Sequence, residues 1–315
     1  MTKENKIIAV TGSSGFIATN LTKRLQEQGH TVYGIDIVEP QYGIKPDVFI
    51  NGDLRDPKTC EAFFNQPFDE VYALAAWMGG AGVIFTGDND AQIMHDSALI
   101  NLNTAKYATE AKVKKLFYSS SACVYSAEAA AKRASEESAY PACPDSNYGW
   151  EKIFSERLYE AYAKNYGVDV RIARFNNTYG EYSTYEGGRE KSPAAICRKV
   201  MENNIEIWGD GQQVREFVYI SDLLDAIELI MVNPFTGPTN IGPRENITID
   251  GMVRILTDKP ITHVDGPIGL QVRLTTYDKI EALGWSAKVP LEVGLKRLYS
   301  WIMKTKYPYR GEEYE

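Results

Sequence analysis

Residues 6–36 read KIIAVTGSSGFIATNLTKRLQEQGHTVYGID, and this stretch decides the fold. The apolar run at its start predicts a short buried strand, and Gly12 and Gly15 follow it in a turn. The next residues predict a helix that stops at Gly29, after which HTVYGID predicts a second strand. A strand, a glycine turn, a helix and another strand make the β-α-β unit from which parallel, doubly wound sheets are built.

The same alternation continues well beyond this first unit. Further apolar strands are predicted at 47–53, 70–76, 114–121 and 168–175, and helices at 91–112 and 146–167. Near-continuous apolar runs are typical of strands that are covered on both faces. We therefore predict the α/β class: a doubly wound Rossmann-type parallel sheet, followed by a smaller mixed region that binds substrate.

The regular alternation of predicted strands and helices changes after about residue 176. We expect residues 1–175 to form the cofactor-binding Rossmann domain and residues 176–315 to form mainly the substrate-binding region. In the second region, 203–222 predicts two short strands around a Gly-Asp-Gly turn, and a helix is predicted near 291–304. The apolar helix at 222–232 is expected to return to the sheet. In doubly wound folds the ligand cleft lies at the carboxyl ends of the strands.

The bulk composition excludes several classes of partner. The chain has 315 residues, 44% of them hydrophobic, and a formal net charge of −8. An acidic protein lacks the basic face that nucleic acid favours, so no nucleic-acid partner is expected. No apolar run reaches the roughly 18 residues of a membrane span. We expect no membrane partner, no secretory signal and no metal site. The four scattered cysteines fit a reducing cytoplasm better than a disulfide framework.

The glycine turn matches a dinucleotide-binding pattern. Gly12, Gly15 and Ala18 form G-x-x-G-x-x-A between the first strand and the first helix, where helix amides favour a pyrophosphate. Asp36 ends the second strand, where an acid can bond the adenosine ribose, and no Lys or Arg follows it at once. This favours NAD over NADP. Asp53, after the third strand, is either a second adenine-side contact or a loop acid.

A tyrosine and a lysine provide the second chemical signal. Tyr148 and Lys152 stand four residues apart in YGWEK, on one face of the predicted helix 146–167. A phenol is a weak base at neutral pH, and an ammonium group one turn away stabilises its phenolate. Ser121, at the end of the strand 114–121, can bond the same substrate hydroxyl that Tyr148 deprotonates. A chance Tyr–Lys pair is common on helices, but beside a dinucleotide pattern it indicates a catalytic pair.

Five segments, TGSSGFIA, SSSACVY, YGWEK, RFNNTYG and NIGP, resemble the extended short-chain dehydrogenase/reductase family over nearly the whole chain. The resemblance implies tightly held NAD, a nucleotide-diphosphate sugar as substrate, transient oxidation at C4 of the sugar, and a homodimer formed through two long helices. The cofactor-binding residues expected on this basis are Gly12, Gly15, Phe16, Ile17, Asp36, Asp53, Leu54, Ala75, Tyr148 and Lys152. Epimerases, dehydratases and decarboxylases all share the first step.

The residues after Ser121 bear on the branch of that family. The 4,6-dehydratases carry an Asp-Glu pair at the positions of Ala122 and Cys123, and decarboxylases tend to carry Glu at the second. The segments AAWMGGAG, GGREKSPAAICRK and WGDGQQVR are similar to the GDP-mannose 3,5-epimerase branch. That similarity implies an acid/base pair of Cys123 and Lys191, acting at C3, C5 or both. The alternatives are a 4-epimerase with a packing cysteine, or a dehydratase or decarboxylase.

The same similarity implies the substrate site. The catalytic residues expected are Ser121, Cys123, Tyr148, Lys152 and Lys191. The substrate-binding residues expected are Gly79, Ser121, Ala122, Cys123, Asn177, Glu190, Lys191, Lys199, Gln213, Arg215 and Arg273, with Lys199, Arg215 and Arg273 around the nucleotide diphosphate and its ribose. The chain departs from this branch at Trp77, where an acid is expected, at Glu216 and at Gln271. The nucleotide base and the sugar therefore stay open.

Overall fold

A computed structural model of the protein describes residues 5–234 and 237–306, so residues 1–4, 235–236 and 307–315 of the two predicted regions lie outside it. The strands of the described residues are β1 (Ile7–Thr11), β2 (Thr31–Asp36), β3 (Val48–Asn51), β4 (Glu70–Ala73), β5 (Lys115–Ser121), β6 (Asp169–Phe175), β7 (Asn177–Tyr179), β8 (Glu206–Trp208), β9 (Val214–Tyr219), β10 (Thr239–Ile241), β11 (Asn246–Thr248), β12 (Thr262–Val264) and β13 (Val272–Arg273). The α-helices are α1 (Phe16–Glu27), α2 (Pro57–Phe64), α3 (Ala81–Ile84), α4 (Asp90–Glu110), α5 (Ala127–Ala131), α6 (Asn147–Tyr166), α7 (Ser192–Met201), α8 (Ile220–Val232), α9 (Ile249–Leu256), α10 (Asp278–Glu281) and α11 (Leu291–Lys306). Short 3₁₀ turns span Ala122–Val124 and Glu136–Ala139.

The main sheet has seven parallel strands in the order β10-β6-β5-β4-β1-β2-β3. The chain reverses its direction of winding between β1 and β4, and a ligand crevice opens at such a switch point. The predicted α/β class, with a doubly wound sheet and a smaller mixed region, is confirmed, as are its six predicted strands. The seventh strand, β10, is not among the predictions because three residues are too short to show a pattern.

Alternating side chains of the first strand enter the two layers that cover the sheet. Ile8 and Val10 pack with one hydrophobic cluster, and Ala9 packs with another on the opposite face. All three are fully buried, and burial of an Ile or Val side chain stabilises the fold by roughly 1.5–3 kcal/mol. The sheet is therefore a rigid platform for the loops at its carboxyl edge.

A buried ion pair fixes α6 to the sheet. Arg174 on β6 donates to both carboxylate oxygens of Glu156 on α6, at 2.8 and 2.6 Å. Ser120, at the end of β5, also donates to Glu156. Because charged groups without partners are costly to bury, this cluster holds α6 in one position along the sheet. The first turns of α6 carry Tyr148 and Lys152, so the cluster also positions these side chains.

The region beyond β6 builds smaller sheets. Strand β9 pairs in antiparallel fashion with β11 and in parallel with β7 and β13, whereas β8 pairs with β12. The two strands predicted around the Gly-Asp-Gly turn are thus present as β8 and β9, but they lie in different sheets. The helix α8 lies against α1, where Arg24 pairs with Asp225 at 2.7 Å. In the part of the chain described here, no helix is long and apolar enough to cross a membrane.

Candidate active site

One cavity of about 930 Å³ opens at the carboxyl ends of β1, β2, β4 and β5. Every site residue predicted from the sequence lines it. On the cofactor side these are Gly12, Gly15, Phe16, Ile17, Asp36, Asp53, Leu54, Ala75, Tyr148 and Lys152. On the substrate side they are Gly79, Ser121, Ala122, Cys123, Asn177, Glu190, Lys191, Lys199, Gln213, Arg215 and Arg273. A single continuous space therefore joins the two groups.

The glycine turn after β1 leaves room only for backbone. Gly12 adopts a φ of 66°, and a Cβ there would lie 2.8 Å from the Cα of Ala75, two residues after β4. The Gly12 N–H donates to the carbonyl of Ile35 at 2.9 Å, which ties the turn to β2. Gly15 precedes α1 and offers no side-chain cap, so the amides of the first turn remain available to an anion.

Asp36 stands at the tip of β2 beside this turn. Its carboxylate accepts the backbone N–H groups of Ser14 and Val38, each at 3.0 Å. Burial raises the pKa of Asp36, and these hydrogen bonds oppose the rise. The residues that follow, Ile37 and Val38, are exposed and uncharged. A dinucleotide whose ribose carries no extra phosphate fits these three features: a tight glycine turn, helix amides without a side-chain cap, and a carboxylate at the strand end.

Asp53 has a partner of its own. Arg55 pairs with Asp53 at 2.7 Å and with Asp96 at 2.7 Å, and its hydrogen bond lowers the pKa of Asp53. Leu54, which lies between Asp53 and Arg55 in the sequence, is buried in the core. The carboxylate predicted as an adenine-side contact thus lies in the cavity wall as part of an ion-pair cluster. Asp96 and Arg55 are not among the predictions, because only the fold brings α4 to this loop.

The first turn of α6 brings Tyr148 to Ser121 and Cys123. A Cβ on Gly149 would overlap the carbonyl oxygen of Cys123 and lie 3.0 Å from its carbonyl carbon, so this close contact requires glycine. Lys152 lies one turn further on and donates to the carbonyl of Ser119 at 3.0 Å. Its ammonium is 5.6 Å from the centroid of the Tyr148 ring. The predicted pair, Tyr148 and Lys152, therefore lies beside the end of β5, where Ser121 stands.

Burial dominates the titration of this pair. It raises the pKa of Tyr148, and a negative charge on Cys123 raises it further, while a hydrogen bond with Ser121 and the positive charge of Arg273 lower it. Burial lowers the pKa of Lys152, and the nearby acids Glu151 and Glu156 oppose that change. Tyr148 therefore needs positive charge around it before it can act as a base.

The thiol of Cys123 is held by an arginine. Arg273, on β13, donates from Nη1 to the sulfur at 2.9 Å and forms an ion pair with Asp145. Its Nε is buried and has no partner among the described residues. The sequence similarity implied that Arg273 lies around the nucleotide diphosphate and its ribose, and in the structure this side chain also contacts Cys123. Asp145 was not predicted, although an acid three residues before Tyr148 is a signal that could have been noticed.

Lys191 lines the same cavity and lies near enough to the thiol of Cys123 to be influenced by its charge. It immediately precedes α7, and burial lowers the pKa of its ammonium, an effect that Cys123 opposes and Lys152 reinforces. Within residues 5–234 and 237–306, no hydrogen bond or ion pair engages this ammonium. A lysine with a lowered pKa and no partner can give up its proton readily.

The far end of the cavity gathers positive charge. Arg215 donates to the carbonyls of Val214 at 2.8 Å and Ile268 at 3.1 Å. Burial and the neighbouring Arg273 lower the pKa of Arg215 to about 10, so it keeps its charge near neutral pH. Lys199 donates to the carbonyl of Glu206 at 2.6 Å. These cations make this end of the cavity positively charged in an otherwise acidic protein.

Polar groups without partners complete this end. The side-chain oxygen Oε1 of Gln213 and Oε2 of Glu190 are buried and unpaired among the described residues. Lys199 lies 5.8 Å from the centroid of the Trp208 ring, which also lines the cavity and was not predicted. Asn177 donates to the carbonyl of Glu216 at 3.0 Å. Unpaired buried polar atoms are costly, so a polar ligand fits here.

Glu216, one of the positions at which the sequence departs from the branch that it resembles, does not line the cavity. Strand alternation turns this side chain away from the cavity that Arg215 lines. The carboxylate accepts hydrogen bonds from Arg133 at 2.6 Å, Asn176 at 2.8 Å and Tyr277 at 2.5 Å. Glu216 is therefore a structural group beneath the site. In the described ranges, no group of three or more His, Cys, Asp or Glu side chains is arranged to hold a metal ion.

Comparison with known proteins identifies a family, two similar proteins and a similar solved structure. A sequence model of the NAD dependent epimerase/dehydratase family matches residues 8–242. GDP-mannose 3,5-epimerase of Arabidopsis thaliana is 36% identical over 315 aligned residues, covering 95% of this chain and 82% of that protein. GDP-mannose 3,5-epimerase 1 of Oryza sativa subsp. indica is 36% identical over 310, covering 94% and 81%. Among solved structures, UDP-glucose 4-epimerase of Thermotoga maritima with UDP-glucose gives a TM-score of 0.85 at 25% identity, covering 95% of this chain and 99% of that one.

Proposed function

The chain belongs to the NAD-dependent epimerase/dehydratase family, and on that premise we propose that it is a nucleotide-sugar epimerase of the 3,5-epimerase kind. It oxidises the sugar at C4, exchanges protons at C3, C5 or both, and reduces C4 again. The observation that carries this proposal is the Cys123 thiol, bound by Arg273 and facing Lys191 in the cavity of Tyr148 and Lys152.

The chain's own groups serve the step at C4. Bound NAD supplies the chemistry of taking a hydride from C4 and returning it. Gly12 and Asp36 would hold it by the close backbone approach and the strand-end carboxylate described above. Tyr148 takes the proton of the C4 hydroxyl as a general base, and Ser121 holds that hydroxyl by a hydrogen bond. Lys152 stabilises the phenolate that Tyr148 needs for this task.

The second step follows from the acidity of hydrogens next to a ketone. When C4 carries a ketone, the C–H bonds at C3 and C5 can break because the electron pair delocalises into an enolate. Cys123, as a thiolate beside the Arg273 guanidinium, accepts the proton from one face. The ammonium of Lys191 then gives a proton to the other face and becomes neutral. Exchange with solvent takes the proton from Cys123 and returns one to Lys191 before the next turnover. Return of the hydride to C4 completes a reaction with no net oxidation.

The cation-rich end supports a nucleotide diphosphate as the other half of the substrate. Arg215 and Lys199 carry charges that no carboxylate of the described residues neutralises by an ion pair, and Nε of Arg273 is an unused donor. Arginine donors suit phosphate oxygens. The similarity at 36% identity to GDP-mannose 3,5-epimerases makes GDP-mannose the first substrate to test.

The decisive experiment is turnover in D₂O. We expect the enzyme, incubated with GDP-mannose and with other nucleotide-diphosphate hexoses, to place deuterium at C3 or C5, visible by NMR. The structural likeness to a UDP-glucose 4-epimerase supports a second candidate, which would change C4 alone without solvent deuterium. Turnover without deuterium at C3 or C5 would contradict our proposal. Loss of mass would instead reveal a dehydratase or decarboxylase.

We further propose that the chain forms a homodimer through α4 and α6. The two helices pack side by side, joined by a hydrogen bond of 2.9 Å from Asn101 to Glu151. Two large apolar side chains in the first half of α6 are exposed: Trp150 at 43% and Phe154 at 46%. Exposed aromatic residues one turn apart on α6 support a second copy as their cover. The free cysteines of the described residues support a reducing compartment, which we propose to be the cytoplasm.

The dimer is tested by its mass in solution. Analytical ultracentrifugation of the wild-type chain is expected to give a dimer, and the double variant Trp150→Lys with Phe154→Lys is expected to give a monomer. Burying a lysine in an apolar interface is strongly unfavourable. Val232→Lys, at an exposed apolar residue on α8, is the matched control and should leave the mass unchanged. A monomeric wild type, or a double variant that stays dimeric, would exclude this interface.

A further inference from the structure

Two loops of the cavity wall dock on one another beside the reacting groups. The Gly80 N–H, after β4, donates to the carbonyl of Arg189 at 3.0 Å. A Cβ on Gly80 would overlap the carbonyl oxygen of Glu190 and lie 2.9 Å from its carbonyl carbon. The same Cβ would lie 3.5 Å from the Cα of Lys191. The backbone that carries Lys191 therefore packs directly against Gly80, on the side where any other residue would have its Cβ.

A side-chain contact reinforces this docking. The guanidinium carbon of Arg189 lies 4.6 Å from the centroid of the Trp77 ring, a geometry in which a cation is attracted to the indole face. The backbone N–H of Trp77 donates to the buried hydroxyl of Ser97 at 3.0 Å, which anchors the Trp77 backbone to α4. The Trp77 ring also packs against the cluster that contains Cys123 and Tyr148. Trp77 thus joins Arg189 to the wall of the reacting centre.

One further ion pair, between Glu186 and Lys306 at 3.6 Å, ties the start of the segment before Lys191. Residues 186–189 are exposed. On the other side, α7 begins directly after Lys191, and Glu190 pairs with Arg198 of that helix at 3.1 Å. The position of Lys191 is therefore set by α7 on one side and by the docking on Gly80 and Trp77 on the other. No other contact in the described residues engages its ammonium.

We propose that Trp77, Gly80 and Arg189 are positioning residues that aim Lys191 at the carbon opposite Cys123. The inference rests on the proposed function, in which Lys191 returns the proton. These three residues act through the placement of Lys191 and leave the C4 step to Tyr148 and Lys152.

Gly80→Ala is the sharpest test of this positioning. The added Cβ meets backbone, which cannot rotate away, so the segment with Lys191 must shift. A displacement of about 1 Å can cost roughly 10²-fold in rate. We expect deuterium entry at C3 or C5 to fall by about that factor. Formation of reduced nicotinamide on mixing with substrate, which reports the C4 step, should stay near the wild-type level.

Variants at Arg189 provide the rescue. Arg189→Ala should lose proton exchange in the same selective way, and Arg189→Lys, which keeps a cation over Trp77, should regain most of it. Arg244→Ala, at an exposed arginine outside the cavity, should match the wild type. Wild-type exchange in Gly80→Ala and Arg189→Ala would overturn the inference. An equal loss of both steps would also overturn it, because the effect would then not act through Lys191.

Lys191→Gln separates this inference from the function on which it rests. If Lys191→Gln exchanges protons at the wild-type rate, Lys191 is not the acid, and both its role and the positioning inference fail; the proposed epimerase itself fails only if the wild-type enzyme turns over without exchange. If Lys191→Gln abolishes exchange while Gly80→Ala and Arg189→Ala do not, only the positioning inference fails. Selective loss in all three variants supports both.

Discussion

Cys123→Ala is expected to stop the entry of solvent deuterium at C3 and C5 while substrate still reduces the bound nicotinamide. A positioned general base contributes roughly 10²–10⁴-fold, so exchange should fall by about that factor. The reason lies in the separation of tasks within the cavity. Tyr148 and Lys152 remain in place for C4, whereas the group that accepts the carbon-bound proton is gone. NMR in D₂O and the absorbance of the nicotinamide report the two steps separately.

Matched variants decide whether the thiol moves a proton or fills space. Cys60→Ala removes a buried thiol outside the cavity and should keep full exchange. Cys123→Ser keeps a partner for Arg273 but offers a far weaker acid, so it should resemble Cys123→Ala. Unchanged exchange in Cys123→Ala would show that the thiol only fills space.

Cys123→Ala should also shift the pH profile of C4 oxidation to lower pH. Burial is the largest cause of the raised pKa of Tyr148, and the negative charge of Cys123, which this variant removes, is the next.

Local patterns account for what the sequence could predict. The glycine turn, the strand-end acid and the Tyr–Lys spacing each lie within one unit of strand and helix, so their geometry follows from sequence distance alone. The motif resemblance to the family is confirmed by the match over residues 8–242. The six longer strands of the sheet carry enough apolar residues to be predicted, whereas β10, with three residues, is too short to show a pattern.

Contacts between distant segments account for what it could not predict. Cys123 and Arg273 are separated by 150 residues, and their contact depends on the pairing of β13 with β9. The docking of Gly80 on Glu190 depends on how the loop before α7 meets the end of β4. No period or spacing in the sequence records such meetings. The pairing of Arg55 with Asp53 and Asp96 was missed for the same reason.

Tyr148→Phe is expected to give the opposite pattern to Cys123→Ala. Without its hydroxyl the C4 alcohol has no base, so formation of reduced nicotinamide should fall by roughly 10²–10⁴-fold. Deuterium entry at C3 and C5 should fall with it, because these hydrogens become acidic only when C4 is a ketone. Stopped-flow absorbance and NMR in D₂O measure the two losses. NAD should remain bound, since its turn at Gly12 is untouched.

Tyr159→Phe is the matched control on the same helix. Tyr159 is fully buried, and its hydroxyl donates to Asn101 at 3.1 Å outside the cavity. Its loss should cost about 1 kcal/mol of unfolding free energy and leave both steps near the wild-type rate. A supplied 4-keto nucleotide sugar should restore proton exchange in Tyr148→Phe but not in Cys123→Ala, because only the latter lacks the base for carbon. If Tyr148→Phe turns over normally, or if the ketone rescues both variants alike, the division of labour between Tyr148 and Cys123 is wrong.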